Sequence, residues 1–187
     1  MAKERLIFKG VSEIVGTEDM GLLILTDEKN MRQISIVCDK AMAVQLELRT
    51  KKIPIADIML PEVLCKMLDI NANSEYELLI DDLIDGQYRT ILYNKINMKS
   101  SLIRASDAVL LSYVGNIPLF IDSALMSRQS VLYKENSKGV SLPVNTISDK
   151  MLQTALEKAI LDENYELASH LRDEKKRRER KGDKANN

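Results

Sequence analysis

The stretch Ser100 to Ile121, SSLIRASDAVLLSYVGNIPLFI, constrains the fold more tightly than any other part of the chain. It packs an extended run, a short amphipathic helix over Ala105 to Val114 and an apolar run from Ile117 to Ile121 into 22 residues, so it reads as strand, helix, strand. Gly115 is the expected C′ residue of the helix and Asn116 extends the turn. Pro118 has no N–H to give to a ladder, which puts the following strand at a sheet edge or delays its start. Ser106 and Asp107 fall in the first helical turn, where backbone amides lack partners and the helix dipole favours a carboxylate. On spacing alone, Arg104, Ser106 and Asp107 make a helix cap and a local ion pair.

With 187 residues and 45% hydrophobic content, the chain can bury one core and still carry an appendage. A formal net charge of -1 excludes a global basic field that would draw it to nucleic acid. The charge is uneven: residues 172–184 hold eight Lys/Arg against four Asp/Glu, a net of +4, leaving -5 for the rest. The start MAKERLIFKG lacks a cationic segment followed by a continuous apolar run, and nowhere do eighteen apolar residues run together, so a soluble cytoplasmic protein without membrane contact is expected. Cys38 and Cys65 lie in apolar stretches far from further ligands, which reads as two buried free thiols and gives no support to a zinc site. His170, the one histidine, lies among basic and apolar residues and reads as a surface side chain.

In chain order, Arg5 to Val15 reads as a first strand, followed by a connection through Met20. Leu22 to Thr26 and Met31 to Val37 flank Asp27-Glu28-Lys29-Asn30 as an antiparallel hairpin. Asp39 caps a helix to about Thr50, with Met42, Ala43 and Leu46 on its apolar face. Ala56 to Leu60 is a separate turn, and Pro61 opens a helix to about Asp69 with Leu60, Leu64, Met67 and Leu68 on one face. Glu75 to Leu83 and Gln87 to Met98 form a second hairpin about Asp85-Gly86, a dipeptide suited to the positive φ angles of a tight turn. The acids Asp81, Asp82 and Asp85 cluster there, but alternation sends Asp81 and Asp82 to opposite faces, so the group reads as a solvated hairpin tip. Asp122 caps a short helix through Met126.

The segment KENSKGVSLPVNT, Lys134 to Thr146, is rich in Gly, Pro, Ser and Asn without periodicity and reads as a linker. Beyond it Ser148 is a good N-cap, and Leu152, Ala155, Leu156, Ala159 and Ile160 form a helical stripe. Asp162-Glu163-Asn164 breaks it, and a second helix opens with Tyr165, Ala168, Ser169 and Leu171 before fraying from Glu174 to Lys181. The expected organisation is a domain over residues 1–133, a linker over 134–147, an antiparallel helical hairpin over 148–181 and a polar tail over 182–187. The fold class is α+β, a mostly antiparallel mixed sheet with packed helices, because hairpins dominate and only the Ser100 to Ile121 unit offers a helical crossover.

R-A-S-D-A followed by an apolar helix, a glycine and I-P-L-F-I resembles the signature of the bifunctional nuclease family, S-R-x-S-D-A-I-x-L-A with a short turn and a buried strand. The resemblance spans roughly residues 5–127 and implies hydrolysis of DNA or RNA phosphodiesters, with Arg104, Ser106 and Asp107 as the catalytic residues. A divalent metal ion is the cofactor such a site would need, since Asp107 repels a phosphate unless a cation lies between them; no ligand set for it is assigned. Two family patterns are altered. I-x-I-G-x-x-E is here Ile34-Ser35-Ile36-Val37-Cys38-Asp39-Lys40, with Lys40 in place of the carboxylate unless Asp39 serves by a register shift. P-R-P-L-T-H-D-L is replaced by Pro54-Ile55-Ala56-Asp57-Ile58-Met59-Leu60-Pro61, which keeps no His-Asp pair.

The run from Leu152 to Glu174 looks like the UVR motif, the helical hairpin at the end of the excinuclease B subunit and within the C subunit. Tyr165, Glu166, Ala168, Leu171, Arg172 and Asp173 match position by position, and Ser169 replaces the usual alanine. That resemblance implies a protein partner, or self-association into a homo-oligomer, through Tyr165, Glu166, Leu171, Arg172 and Asp173. Two functions from different classes follow: a nuclease, or a non-catalytic adaptor that keeps the fold without the site.

Overall fold

A computed structural model describes residues 2–14, 20–133, 149–161 and 163–185. The linker, the Ser148 cap and the connection ahead of Met20 lie outside the described residues. The described strands form one sheet of eight: β1 (Lys3–Glu13), β2 (Met20–Asp27), β3 (Arg32–Asp39), β4 (Tyr76–Ile84), β5 (Gln87–Asn94), β6 (Ser100–Arg104), β7 (Leu119–Asp122) and β8 (Val131–Leu132). Their spatial order is β6-β5-β4-β7-β1-β2-β3-β8, and every neighbouring pair is antiparallel except β4 with β7. The α+β, mostly antiparallel reading is therefore what the chain adopts.

The helices that follow these strands up to Leu132 are α1 (Lys40–Thr50), α2 (Leu60–Met67), α3 (Ala105–Gly115) and α4 (Ser123–Gln129), with a 3-10 turn at Pro54–Ile58. Strand alternation explains where they sit. On β2, Leu23 and Leu25 point into the main core with Met42, Ala43 and Leu46 of α1, Val109 of α3 and Leu125 and Met126 of α4. Their neighbours Leu22 and Ile24 point the other way and build a second cluster with Ile14. Asp39 caps α1 by accepting from the Met42 amide at 2.8 Å, and Asp122 caps α4 from Leu125 at 2.9 Å. Both caps were expected from sequence.

Of the two alternatives for β7, the delayed start holds, and two other local expectations are corrected. β7 is not an edge strand but lies between β4 and β1; Pro118 sits just before it, and its carbonyl still accepts from the Leu78 amide at 3.0 Å. The proline thus delays the strand without disturbing the ladder. The left-handed residue ending α3 is Asn116, at φ 51°, while Gly115 stays helical. What Gly115 supplies is closeness: a Cβ there would meet Ile70 at 3.1 Å and Cys65 Sγ at 3.4 Å, so the missing side chain lets α3 approach the end of α2. The second correction is β5, which ends at Asn94 and not Met98, because the Asn94 side chain accepts from the amides of Ile96 and Asn97 and turns the chain.

The second hairpin turns at Asp85 (φ 49°) and Gly86 (φ 75°), the positive angles that the dipeptide favours. The C-terminal helices are α5 (Asp149–Leu161) and α6 (Tyr165–Ala185), joined through Glu163 at φ 54°, and α6 runs on where fraying was expected. Leu152, Ala155 and Ala159 of α5 bury against Ala168 and Leu171 of α6, and Val37 on the rear face of β3 packs on the same cluster. Lys175 donates to Gln153 Oε1 and Arg178 pairs with Asp149 Oδ1, each at 2.7 Å, closing the polar side of the pair. No helix among the described residues is long and apolar enough to cross a membrane.

Candidate functional site

The end of β6 delivers Arg104 to the opening of α3. Its backbone, at φ -61° and ψ 141°, is extended, and no side chain caps the helix. The guanidinium turns instead onto the first turn of α3: Nε donates to Asp107 Oδ2 at 2.6 Å and Nη2 to Oδ1 at 3.0 Å. Of the two roles spacing suggested for Asp107, the ion pair is present and the cap is not. Asp107 raises the pKa of Arg104 above its ordinary value, first by these hydrogen bonds and then by its charge.

A second carboxylate reaches the same guanidinium from 65 residues away: Arg104 Nη1 lies 3.5 Å from Asp39 Oδ2. Asp39 divides its work, giving Oδ1 to the α1 amide and Oδ2 to Arg104. Arg104 is thus held between the start of α1 and the start of α3, with its side chain two-thirds exposed. Ser106 is buried in the first turn and does not reach the surface that Arg104 and Asp107 share. Sequence reasoning gave Asp39 a capping role and, by a register shift, the place of the family's usual carboxylate; its reach to Arg104 had no local signal.

The neighbouring strand repeats the motif. Arg89 of β5 stands opposite Arg104 in register and clamps Asp81 through Nε at 2.8 Å and Nη2 at 2.7 Å. A bulge between Ile80 and Asp82 breaks the alternation there. Cys38, next to Asp39, is buried, and that burial together with the Asp39 charge pushes its thiol up to about 12. It is a neutral wall at ordinary pH and not a nucleophile.

The donor chemistry bears on whether the corner suits a metal. Among the described residues no group of three His, Cys, Asp or Glu stands together to cage a metal ion. Asp39 and Asp107, the two carboxylates on Arg104, are the donors the corner offers, and an ion of the magnesium type is held by one or two carboxylates with water and substrate oxygens completing its shell. To bind it they would release part of their hold on Arg104.

The residues named in the C-terminal hairpin fall in two groups. Tyr165, Glu166, Arg172 and Asp173 are exposed, whereas Leu171 is fully buried against α5 and holds the two helices together. His170 is exposed, as expected of a surface histidine.

Among curated proteins, no match to the chain is found. The family model of the bifunctional nuclease domain matches residues 23–134, from β2 past β8, and so takes in Asp39, Arg104 and Asp107. The chain therefore belongs to the bifunctional nuclease domain family.

Proposed function

We propose that the chain hydrolyses phosphodiester bonds in DNA or RNA at the corner where β6 meets α3. The observation that supports this most is Arg104, exposed at an uncapped helix start and flanked by two carboxylates from different elements. The first amides of α3 and the helix dipole favour an anion, and a guanidinium binds a phosphate through two parallel hydrogen bonds. Asp39 and Asp107 would hold the divalent ion, which when bound supplies activation of water and charge neutralisation on the phosphoryl oxygens. Arg104 orients the phosphate and stabilises the charge that develops on it. The α5–α6 hairpin, in its likeness to the UVR motif, serves as a docking element for a protein partner through Tyr165, Glu166, Arg172 and Asp173.

One observation favours the second reading, a non-catalytic adaptor. Both oxygens of Asp107 are already satisfied by Arg104, so the pair is complete without any ligand. Incubating rigorously purified protein with single-stranded and duplex DNA and RNA across several divalent ions separates the two. Metal-dependent cleavage is the expected result; its absence with every ion tried leaves the adaptor.

A further inference from the structure

The helix α2 is turned the opposite way from an ordinary surface helix. Its apolar stripe, which sequence periodicity would send to the core, faces solvent: Ile55, Ile58, Leu60, Leu64, Met67 and Leu68, along the 3-10 turn and the helix, are 46 to 77% exposed. Its inward side carries Cys65 and Glu62 instead. Glu62 is gripped by Arg49 of α1, with Nε and Nη2 each 2.7 Å from a carboxylate oxygen, and Arg49 also donates to the Gln45 carbonyl at 2.7 Å. A buried polar clamp fixes the polar side of α2 inward, so the outward apolar face follows from a specific interaction.

We infer that this face is the interface with a second copy of the chain, packed α2 against α2 in antiparallel fashion about a two-fold axis. A Leu-sized side chain carries roughly 100 Å² of apolar surface, and at their measured exposures the six residues offer roughly 400 Å² in all. A standard interface takes about 800 Å² from each partner, somewhat over half of it apolar. The face supplies most of one partner's apolar share, and it is as large as the largest apolar patch an ordinary monomer leaves bare.

The charges around the face select the occupant. Lys52 and Lys66 are balanced by Asp57 and Asp69, all exposed, so no single sign invites an oppositely charged partner. Asp57 stands ahead of the N-terminus of α2 and Lys66 in its last turn. Lys66 Nζ donates to the carbonyl of Asp57 in its own chain at 3.2 Å, which leaves the rim of the face neutral and paired, and antiparallel packing about the two-fold axis sets the two helix dipoles antiparallel. A neutral rim around an apolar face does not repel an identical surface, as an isologous contact with a second copy requires.

Sedimentation equilibrium of the full chain over about 5 to 200 µM tests this. Wild type should move with concentration between 21.2 kDa and twice that mass. Leu64→Glu with Met67→Glu should raise the dissociation constant at least ~100-fold with circular dichroism unchanged, while Leu161→Glu at the α5–α6 turn should leave association intact. A wild type that stays at 21.2 kDa throughout overturns the inference, as does a dimer that survives the α2 substitutions or dissolves only with Leu161→Glu. Should the charged variant unfold, Leu64→Cys decides, since under oxidised glutathione it should link two copies by a disulfide near the axis, and a chain that stays unlinked rejects the pairing.

Discussion

The side chain of Arg49 is almost wholly buried and grips both oxygens of Glu62, joining α1 to α2 across 13 residues of sequence. Removing one partner strands the other charge in the interior, which typically costs ~3–5 kcal/mol, whereas replacing both by well-packed apolar groups is often neutral. Arg49→Ala and Glu62→Ala should each lower the urea midpoint strongly. Arg49→Met combined with Glu62→Leu should recover most of the loss. Equal losses in the single and double variants would show that the clamp adds more than its removal predicts.

Gly21 on β2 sits where α1 comes closest to the sheet. An added Cβ would stand 2.7 Å from the Ala43 Cβ, well inside contact distance. Gly21→Ala should therefore destabilise by roughly 1–3 kcal/mol, the usual range for overpacking. Ala43→Gly in the same chain should relieve most of it. Chemical denaturation of the three variants checks this, and a tolerated Gly21→Ala would mean that α1 can move off the strand cheaply.

Glu174 gives the hairpin a pH dependence. Burial raises its pKa, but hydrogen bonds from Arg177 and Arg178 at 2.8 and 2.9 Å outweigh that and hold the carboxyl below its ordinary value of 4.5. A depressed carboxyl contributes stability that is present above 4.5 and is lost as pH falls through the lower folded value. The difference in helix melting between wild type and Glu174→Gln should be full at pH 7 and shrink below pH 4.5. A difference that grows on acidification would reverse the assignment.

Much of this was legible because local signals carried it. Asp39 and Asp122 announce their helices, Asp85-Gly86 its turn, and the Leu152 to Ala159 stripe its partner helix. What escaped depends on the tertiary fold. Pro118 allowed either an edge strand or a late start, and only the tertiary fold decides for the late start in a central strand, with the proline one residue ahead of the ladder. The apolar stripe of α2 suggested core, yet the Arg49 to Glu62 clamp turns it outward. β8 is two residues long and paired only to β3, too short for any period to show. At the site, the spacing of Arg104 and Asp107 foretold their pair, while the reach of Arg104 to Asp39 is fixed only when α1 and α3 pack together, since β3 and β6 have five strands between them in the sheet.

The proposal of hydrolysis stands or falls on Asp107. As half of an exposed ion pair it contributes at most ~1 kcal/mol to stability, so Asp107→Asn should move the melting temperature by only a few degrees. The decisive measurement is metal-dependent cleavage of a phosphodiester substrate by wild type and Asp107→Asn side by side. Wild type should cleave, and the variant should lose at least ~100-fold of that activity. Cleavage that persists in Asp107→Asn would contradict it.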